Sequence, residues 1–145
     1  MYRNILIPTD GSELATRAVD KGVELAKALG AKVTAVTVTE PFHVFTGDVA
    51  MVGDTPEEWS RHAEERAQAV LHKVRTTAEH AGVPCETVHV SEDDAYEGII
   101  TAAAEAGCDM IAMASHGRGA MATMVLGSQT RKVLARTTLP VVVFR

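Results

Sequence analysis

The chain has 145 residues and a formal net charge of −5, and 46% of its residues are apolar whereas only 4% are aromatic. This composition fits one domain, residues 1–145, with a core of aliphatic side chains, and the negative charge argues against a nucleic-acid partner. No apolar run approaches the roughly 18 residues of a transmembrane helix, and the first residues do not resemble a signal peptide. Cys85 and Cys108 fit no metal-ligand or redox spacing, so we expect a reduced, cytoplasmic protein. From its charge and the absence of a long apolar run, we expect it to bind neither nucleic acid nor membrane.

The first third of the chain predicts a strand, a helix and a second strand. Apolar residues that end in Pro-Thr-Asp indicate a buried strand within 4–10. Ser12 is a typical N-cap for the following helix, which Gly30 is expected to end. The β-branched stretch 32–40 predicts the second strand, and residues 41–54 have no clear period, which predicts a long loop that could serve as a lid or a partner surface. The helix is expected to bury the small and apolar residues that recur at helical spacing, which are Ala15, Ala18, Val19, Gly22, Ala26 and Leu29.

The rest of the chain continues the alternation of helices and strands. The stretch TPEE at 55–58 is typical of a capping box, in which the threonine and the last glutamate each bond the other's backbone. A short strand at 85–90, a third helix and a fourth strand at 109–115 follow. Ser128 is predicted to cap the last helix, and the apolar stretch 139–145 predicts the fifth strand.

This alternation predicts an α/β fold, with an open five-stranded parallel sheet, helices on both of its faces and right-handed crossovers. Ligands of such sheets bind at the carboxyl ends of the strands, where the strand order reverses. The rule indicates a site at the ends of the first and fourth strands, Pro8–Asp10 and Ala114–Gly117.

A basic, glycine-rich stretch follows the fourth strand. Residues 113–134 hold three glycines, and after Asp109 the chain carries five basic residues and no acidic one. Such a cluster in an acidic protein favours a local anion site, although uneven charge also arises by chance. Glycine lets an anion approach the backbone closely, and the free N–H groups at a helix start attract it.

The short stretch LGSQT offers both features. Gly127 allows the close approach, Ser128 adds a hydroxyl group, and Gln129 and Thr130 contribute the first helical amides. Arg131 in the first helical turn opposes the helix dipole by about 0.3–1 kcal/mol, unless an anion binds there or its side chain points into water.

Four stretches of the chain, ILIPTDGS, DMIAMASHGRG, LGSQTRKVL and LPVVVFR, together resemble the universal stress protein family over nearly the whole sequence. The resemblance implies a Rossmann-like, adenine-nucleotide α-hydrolase-like fold, a homodimer through the C-terminal strand 139–145, and a role as a stress-response regulator. The ATP-binding branch of the family has the pattern G-x2-G-x9-G-[ST]. Gly117, Gly127 and Ser128 match its last three elements, whereas Ala114 stands at the position of the first glycine.

The resemblance also implies roles for individual residues. Asp10 would contact the ribose or the base, the main chain of Val38 would contact adenine, and His116 and Arg118 would help to neutralise the phosphates. From the residues themselves, Asp10 can equally be a helix cap, His116 can serve only the loop backbone, and Met113 can be a packing group. The predicted nucleotide-binding residues are Pro8, Thr9, Asp10, Val38, Met113, Ala114, His116, Gly117, Arg118, Gly127, Ser128, Gln129 and Thr130.

Two functions fit this sequence. One is a dimeric regulator that binds ATP, ADP or AMP, with Mg²⁺ accompanying the nucleotide and with protein partners that are unknown. The other is a stress protein that binds no nucleotide and acts through protein contacts alone, which Ala114 favours. We predict no catalytic residue, no metal held by the protein itself and at most a slow ATPase, because no base is evidently aimed at a water. An adenylyl-transferring enzyme is disfavoured, since the H-x-G-H and S-G-G-x-D-S motifs are absent from the sequence.

Overall fold

The structure, a computed structural model, describes residues 1–43, 53–117 and 125–145. Within these residues, strands and helices alternate in the order that the sequence predicts. Most of the predicted loop 41–54 lies outside the described residues. The elements are β1 (Asn4–Pro8), α1 (Glu13–Leu29), β2 (Lys32–Thr39), α2 (Pro56–Ala81), β3 (Cys85–Ser91), α3 (Ala95–Glu105), β4 (Met110–Ala114), α4 (Ser128–Arg136) and β5 (Val141–Phe144).

The five strands form one parallel sheet in the order β3-β2-β1-β4-β5, which confirms the predicted fold class. The first strand lies in the centre, where Ile5 pairs with Val33 of β2 and with Met110 of β4. The chain adds strands on one side of β1 as far as β3 and then crosses to the other side for β4 and β5. The strand order therefore reverses between β1 and β4, where the sequence predicts the site.

Apolar side chains cover both faces of the sheet, because successive residues of a strand point to opposite faces. Ile5 and Ile7 of β1 belong to a buried cluster with residues of α1 and α2. Leu6, between them, belongs to a second cluster with residues of α3 and α4. All three side chains are 0% exposed, so the central strand is buried between two layers of helices.

Local sequence features start the first two helices, and end the first of them, as predicted. The Ser12 side chain accepts a hydrogen bond from the N–H of Ala15, and Gly30 ends α1 with a φ of 67°. Thr55 and Glu58 form the reciprocal capping box of α2. One predicted core residue differs, since Leu29 is 39% exposed in the last turn of α1.

The two cysteines are free thiols at separate places in the sheet. Cys85 begins β3 and is half-buried, and Cys108 precedes β4 and is buried. Burial raises the pKa of both thiols, which keeps them protonated and fits a packing role. None of the helices in the described residues is long and apolar enough to span a membrane.

Candidate functional site

A cavity of about 960 Å³ lies at the carboxyl ends of the central strands. Of the thirteen residues that the sequence predicts for the site, Arg118 lies outside the described residues. The other twelve all line this cavity. Local motifs from both halves of the chain therefore meet at one place, as the rule for strand-order reversal predicts.

Five further residues line the cavity that the sequence analysis missed: Ala15, Val36, Glu40, Ala95 and Ile99. Val36 lies two residues before Val38 on β2, and Glu40 lies two residues after Val38, just beyond the end of the strand. Because residues two apart in a strand lie on the same face, the prediction of Val38 as a site residue could have been extended to both of these neighbours. The residues of α3 carry no such signal, because their position depends on how that helix packs over the sheet.

The turn after β1 is held by hydrogen bonds to β2 and within itself. The N–H of Thr9 donates to the carbonyl of Val36 at 2.9 Å, and the Thr37 hydroxyl donates to the carbonyl of Thr9 at 2.8 Å. The N–H of Ser12 donates to Oδ1 of Asp10 at 2.9 Å. Asp10 therefore organises the turn before α1 and also lines the cavity, but the N-cap of α1 is Ser12 and not Asp10.

The turns after β1 and β4 approach each other closely at Gly117. A Cβ atom on Gly117 would lie 2.5 Å from Oδ2 of Asp10, which is closer than real Cβ contacts allow. Glycine at 117 thus leaves room for the Asp10 carboxylate at the edge of the cavity.

The start of α4 is tied to the end of β4 by two hydrogen bonds. The N–H of Gly127 donates to the carbonyl of Ser115 at 2.7 Å, and the buried Thr130 hydroxyl donates to the carbonyl of Ala114 at 3.1 Å. The close approach of an anion is the predicted reason for glycine at 127, and the structure shows a further reason. Its missing Cβ faces His116, whose Cβ and Cα would lie 2.9 Å and 3.1 Å away. Gly127 is therefore required by the packing of the protein itself.

The predicted cap of α4 is wrong. Gly127 is the N-cap residue, with extended backbone angles, and no side chain caps the helix. Ser128 is the first helical residue because the carbonyl of Gly127 already accepts from the N–H of Arg131 at 3.0 Å. Ser128 lines the cavity, and its hydroxyl is not used as a cap of the helix.

In this arrangement the backbone N–H groups of residues 128–130 form the positive end of the α4 helix dipole, and these residues line the cavity. They precede Arg131, the first residue that bonds back to the helix start, and so have no carbonyl partner within the helix. The first turn also holds no acidic side chain. The side chain of Arg131 is exposed and does not line the cavity. The cavity end at α4 therefore attracts an anion mainly through backbone donors.

The lining of the cavity also contains two acidic residues. Asp10 after β1 and Glu40 after β2 both contribute to its lining. The main-chain carbonyl of Glu40 accepts a hydrogen bond from Nε1 of Trp59 at 2.9 Å, which fixes this end of β2 against α2. A ligand that suits these lining groups carries both hydrogen-bond donors and a negative charge.

Val38 presents its main chain towards the cavity. In a parallel strand, the N–H and C=O groups of successive residues point to opposite neighbouring strands. The carbonyl of Val36 accepts from Thr9 on the β1 side, whereas that of Thr39 accepts from Glu92 on the β3 side. The main chain of Val38 therefore points to the same side as that of Val36, beyond the end of β1.

Ala114 occupies an ordinary strand position. It is the last residue of β4 and is buried, and none of the non-glycine residues that the structure describes has a positive φ. Alanine therefore costs no backbone strain at the place of the family's first glycine. Its neighbour Met113 is 6% exposed and both packs in the core and lines the cavity.

His116 contacts a side chain of its own turn, rather than the loop backbone that one of its two predicted roles names. Its Nδ1 lies 3.2 Å from the Ser115 hydroxyl oxygen, and its side chain is half-buried on the lining of the cavity. In the described parts of the chain, no group of three or more His, Cys, Asp or Glu side chains is placed to hold a metal ion.

The fold and the cavity define an open, parallel α/β protein with a ligand crevice at the reversal of its strand order. Over residues 1–145, the chain matches the model of the Universal stress protein family, and it belongs to that family. A universal stress protein from Thermus aquaticus is 34% identical over 145 residues, which cover 100% of both sequences.

Solved structures show the same architecture. MJ0577 from Methanocaldococcus jannaschii matches with a TM-score of 0.79 and 27% identity, over 99% of this chain and 95% of that one. A universal stress protein from Archaeoglobus fulgidus, solved in complex with dAMP, matches with a TM-score of 0.66 and 20% identity, over 99% and 98% of the two chains. The second likeness shows the fold alone.

Proposed function

We propose that the protein binds an adenine nucleotide in this cavity and acts as a dimeric stress-response regulator. The observation that carries the proposal is the α4 start, whose residues 128–130 line the cavity and have backbone N–H groups without a carbonyl partner within the helix. In this proposal the phosphates bind the backbone donors of α4, and the negative charges of Asp10 and Glu40 disfavour phosphates next to these two side chains. Adenosine then lies towards Val38, and ribose hydroxyls can donate to Asp10.

The residues fit such a nucleotide. A cavity of about 960 Å³ lies at the upper end of the range of small-molecule sites and has room for a triphosphate. Backbone donors, the Ser128 hydroxyl and His116 can bind phosphate oxygens. The Archaeoglobus fulgidus protein in complex with dAMP has this fold, which supports an adenine nucleotide as ligand. ATP with Mg²⁺ is our choice among the adenine nucleotides, because the cavity has room for a triphosphate. Mg²⁺ can accompany the phosphates, since it requires no protein cage of its own.

The alternative function, through protein contacts alone, loses part of its support. It rests on Ala114, which lies in a regular strand without backbone strain. The remaining difference from the family's pattern is one methyl group on the cavity wall.

Nucleotide binding is tested with the wild-type protein, freed of any copurified ligand. We expect ATP with Mg²⁺ and AMP at millimolar concentration to raise the melting temperature, since a ligand at 100 times its Kd adds about 2.7 kcal/mol of stability. GTP at the same concentration is the matched control and should raise it less. The proposal is wrong if neither thermal shift nor calorimetry detects binding of an adenine nucleotide. The alternative function, through protein contacts alone, then stands.

Ser128→Ala should weaken nucleotide binding without destabilising the fold. The hydroxyl is not used as a helix cap, so its loss removes only a ligand hydrogen bond, about 0.5–1.5 kcal/mol in affinity. Ser12→Ala is the control, because the Ser12 hydroxyl caps α1 at 3.3 Å from the Ala15 nitrogen and its loss costs about 1 kcal/mol of stability. Calorimetry and urea unfolding separate the two effects. Equal nucleotide affinity for Ser128→Ala and wild type would contradict the role of Ser128.

The proposed dimer interface is the free edge of β5. Among the residues that the structure describes, this strand pairs only with β4 at the end of the sheet. Its four residues are all half-buried: Val141, Val142, Val143 and Phe144. An apolar edge strand favours pairing with a second copy.

A lysine on β5 should separate this dimer. We choose Val143→Lys because Val142 also packs against the core on the α1 face. Light scattering at micromolar concentration should show a dimer for the wild type and a monomer for the variant. Leu29→Lys, which changes an exposed apolar residue at the end of α1, should leave the dimer intact. A monomeric wild type, or a dimeric Val143→Lys variant, contradicts the interface.

A further inference from the structure

The start of α3 is capped by a residue of another helix. Asp94 is the N-cap residue of α3, but its side chain makes no cap hydrogen bond. The N–H of Tyr96 in the first turn donates instead to Oε1 of Gln129, in the first turn of α4, at 2.9 Å. Because a backbone N–H can only donate, the side-chain oxygen of Gln129 must be the partner. This hydrogen bond satisfies one of the donors that a helix start leaves without an intrahelical partner.

One face of α4 supports this contact. Gln129, Lys132 and Arg136 are spaced by three and four residues and therefore lie on the same side of the helix. Nζ of Lys132 lies 3.6 Å from Oδ1 of Asp94 and 5.3 Å from the centroid of the Tyr96 ring, and Cζ of Arg136 lies 5.8 Å from that centroid. The ion pair is solvent-exposed and contributes little, whereas the Gln129 bond is partly buried.

The same contact spans the cavity wall. Ala95, between Asp94 and Tyr96, lines the cavity, as does Ile99 one turn further along α3. Gln129 also lines it, and its backbone N–H is among the donors at the start of α4. The backbone of one residue thus lies at the anion end, while its side chain holds the α3 wall.

We propose that Gln129 is a positioning residue of the nucleotide site, which holds the α3 wall at a fixed distance from the α4 donors. The inference rests on the proposed nucleotide function. A nucleotide that bonds the α4 amides fixes Gln129, and Gln129 in turn fixes the first turn of α3. Nucleotide binding and the order of that turn are therefore coupled, and each stabilises the other.

The test compares Gln129→Met with the wild type, with AMP as the probe. Met has a similar length but accepts no comparable hydrogen bond. We expect its Kd for AMP to rise about five- to tenfold, as for the loss of one hydrogen bond. In the wild type, AMP should slow hydrogen exchange of the Tyr96 N–H, and this AMP-dependent protection should be lost in Gln129→Met. A residue that only stabilises the fold would lower the urea midpoint without either effect. Lys132→Met, on the same face of α4, is the control and should change the Kd less than about twofold.

A second pair of variants removes the donor instead of the acceptor. Tyr96→Ala and Tyr96→Pro both lose the ring, but only proline lacks the N–H, and proline is tolerated in the first helical turn. Tyr96→Pro should bind AMP about as weakly as Gln129→Met, and Tyr96→Ala should bind it more tightly than Tyr96→Pro. If the wild type binds AMP and Gln129→Met binds it equally well, this inference is wrong and the proposed function stands. If the wild type binds no adenine nucleotide, both are wrong.

Discussion

Replacing Gly127 by valine is expected to abolish nucleotide binding. The Kd should rise more than about tenfold, which is a loss of more than about 1.4 kcal/mol of binding free energy. A Cβ atom at this position would lie 2.9 Å from the Cβ of His116 and 3.1 Å from its Cα. The backbone of His116 cannot turn away as the end of a long side chain can. The turn after β4 must therefore move, which breaks the bond from the Gly127 N–H to the Ser115 carbonyl and displaces the α4 donors.

Gly127→Ala distinguishes this cause from simple obstruction of the phosphates. If the Cβ itself is the problem, alanine should also weaken binding strongly and lower the free energy of unfolding by about 1–3 kcal/mol, the usual cost of overpacking. If only the bulk of valine obstructs the ligand, alanine should bind like the wild type. Val125→Ala, at an exposed side chain two residues earlier, is the control and should change neither quantity. Calorimetry and urea unfolding measure both.

Gly22→Val is expected to give the largest loss of stability away from the cavity. A Cβ on Gly22 would lie 2.6 Å from Cδ1 of Ile7 and 3.7 Å from Cβ of Ala112, and both of these residues are 0% exposed. Glycine here lets α1 lie close to β1 and β4 in the centre of the sheet. The larger side chain should lower the free energy of unfolding by about 1–3 kcal/mol through overpacking.

The control for Gly22→Val introduces the same residue on the exposed side of α1. Asp20→Val changes helix propensity without entering the core, and its effect should stay within about 0.5 kcal/mol. Urea unfolding of both variants gives the comparison. Equal losses of stability would mean that the space at Gly22 is not what determines the effect.

Much of the fold could be predicted from the sequence because its causes are local. The cap at Ser12, the capping box at Thr55 and Glu58, and the helix end at Gly30 each depend on residues within a few positions. The order of strands and helices follows from the spacing of apolar residues in the same way. The meeting of the β1 and β4 ends could also be predicted, because few topologies satisfy short, right-handed crossovers.

The errors in the predicted site have non-local causes. Ser128 has the residue type of a helix cap, but the Gly127 N–H bonds the Ser115 carbonyl, and helical geometry begins at Ser128 instead. Gly127 has the flexibility that an anion site requires, yet its missing side chain makes room for His116. Neither fact can be derived from the spacing of residues along the chain.

The sequence by itself determined the family, the alternation of strands and helices, and most of the residues around the cavity, since motifs and periodicity depend on near neighbours in the chain. The tertiary structure alone decided which of these residues serve the protein itself. It joined Gln129 to Tyr96 across 33 positions and added Ala95 and Ile99 to the cavity wall. These contacts exist because packing the helices on a twisted sheet brings distant residues together, and that packing is a property of the whole chain.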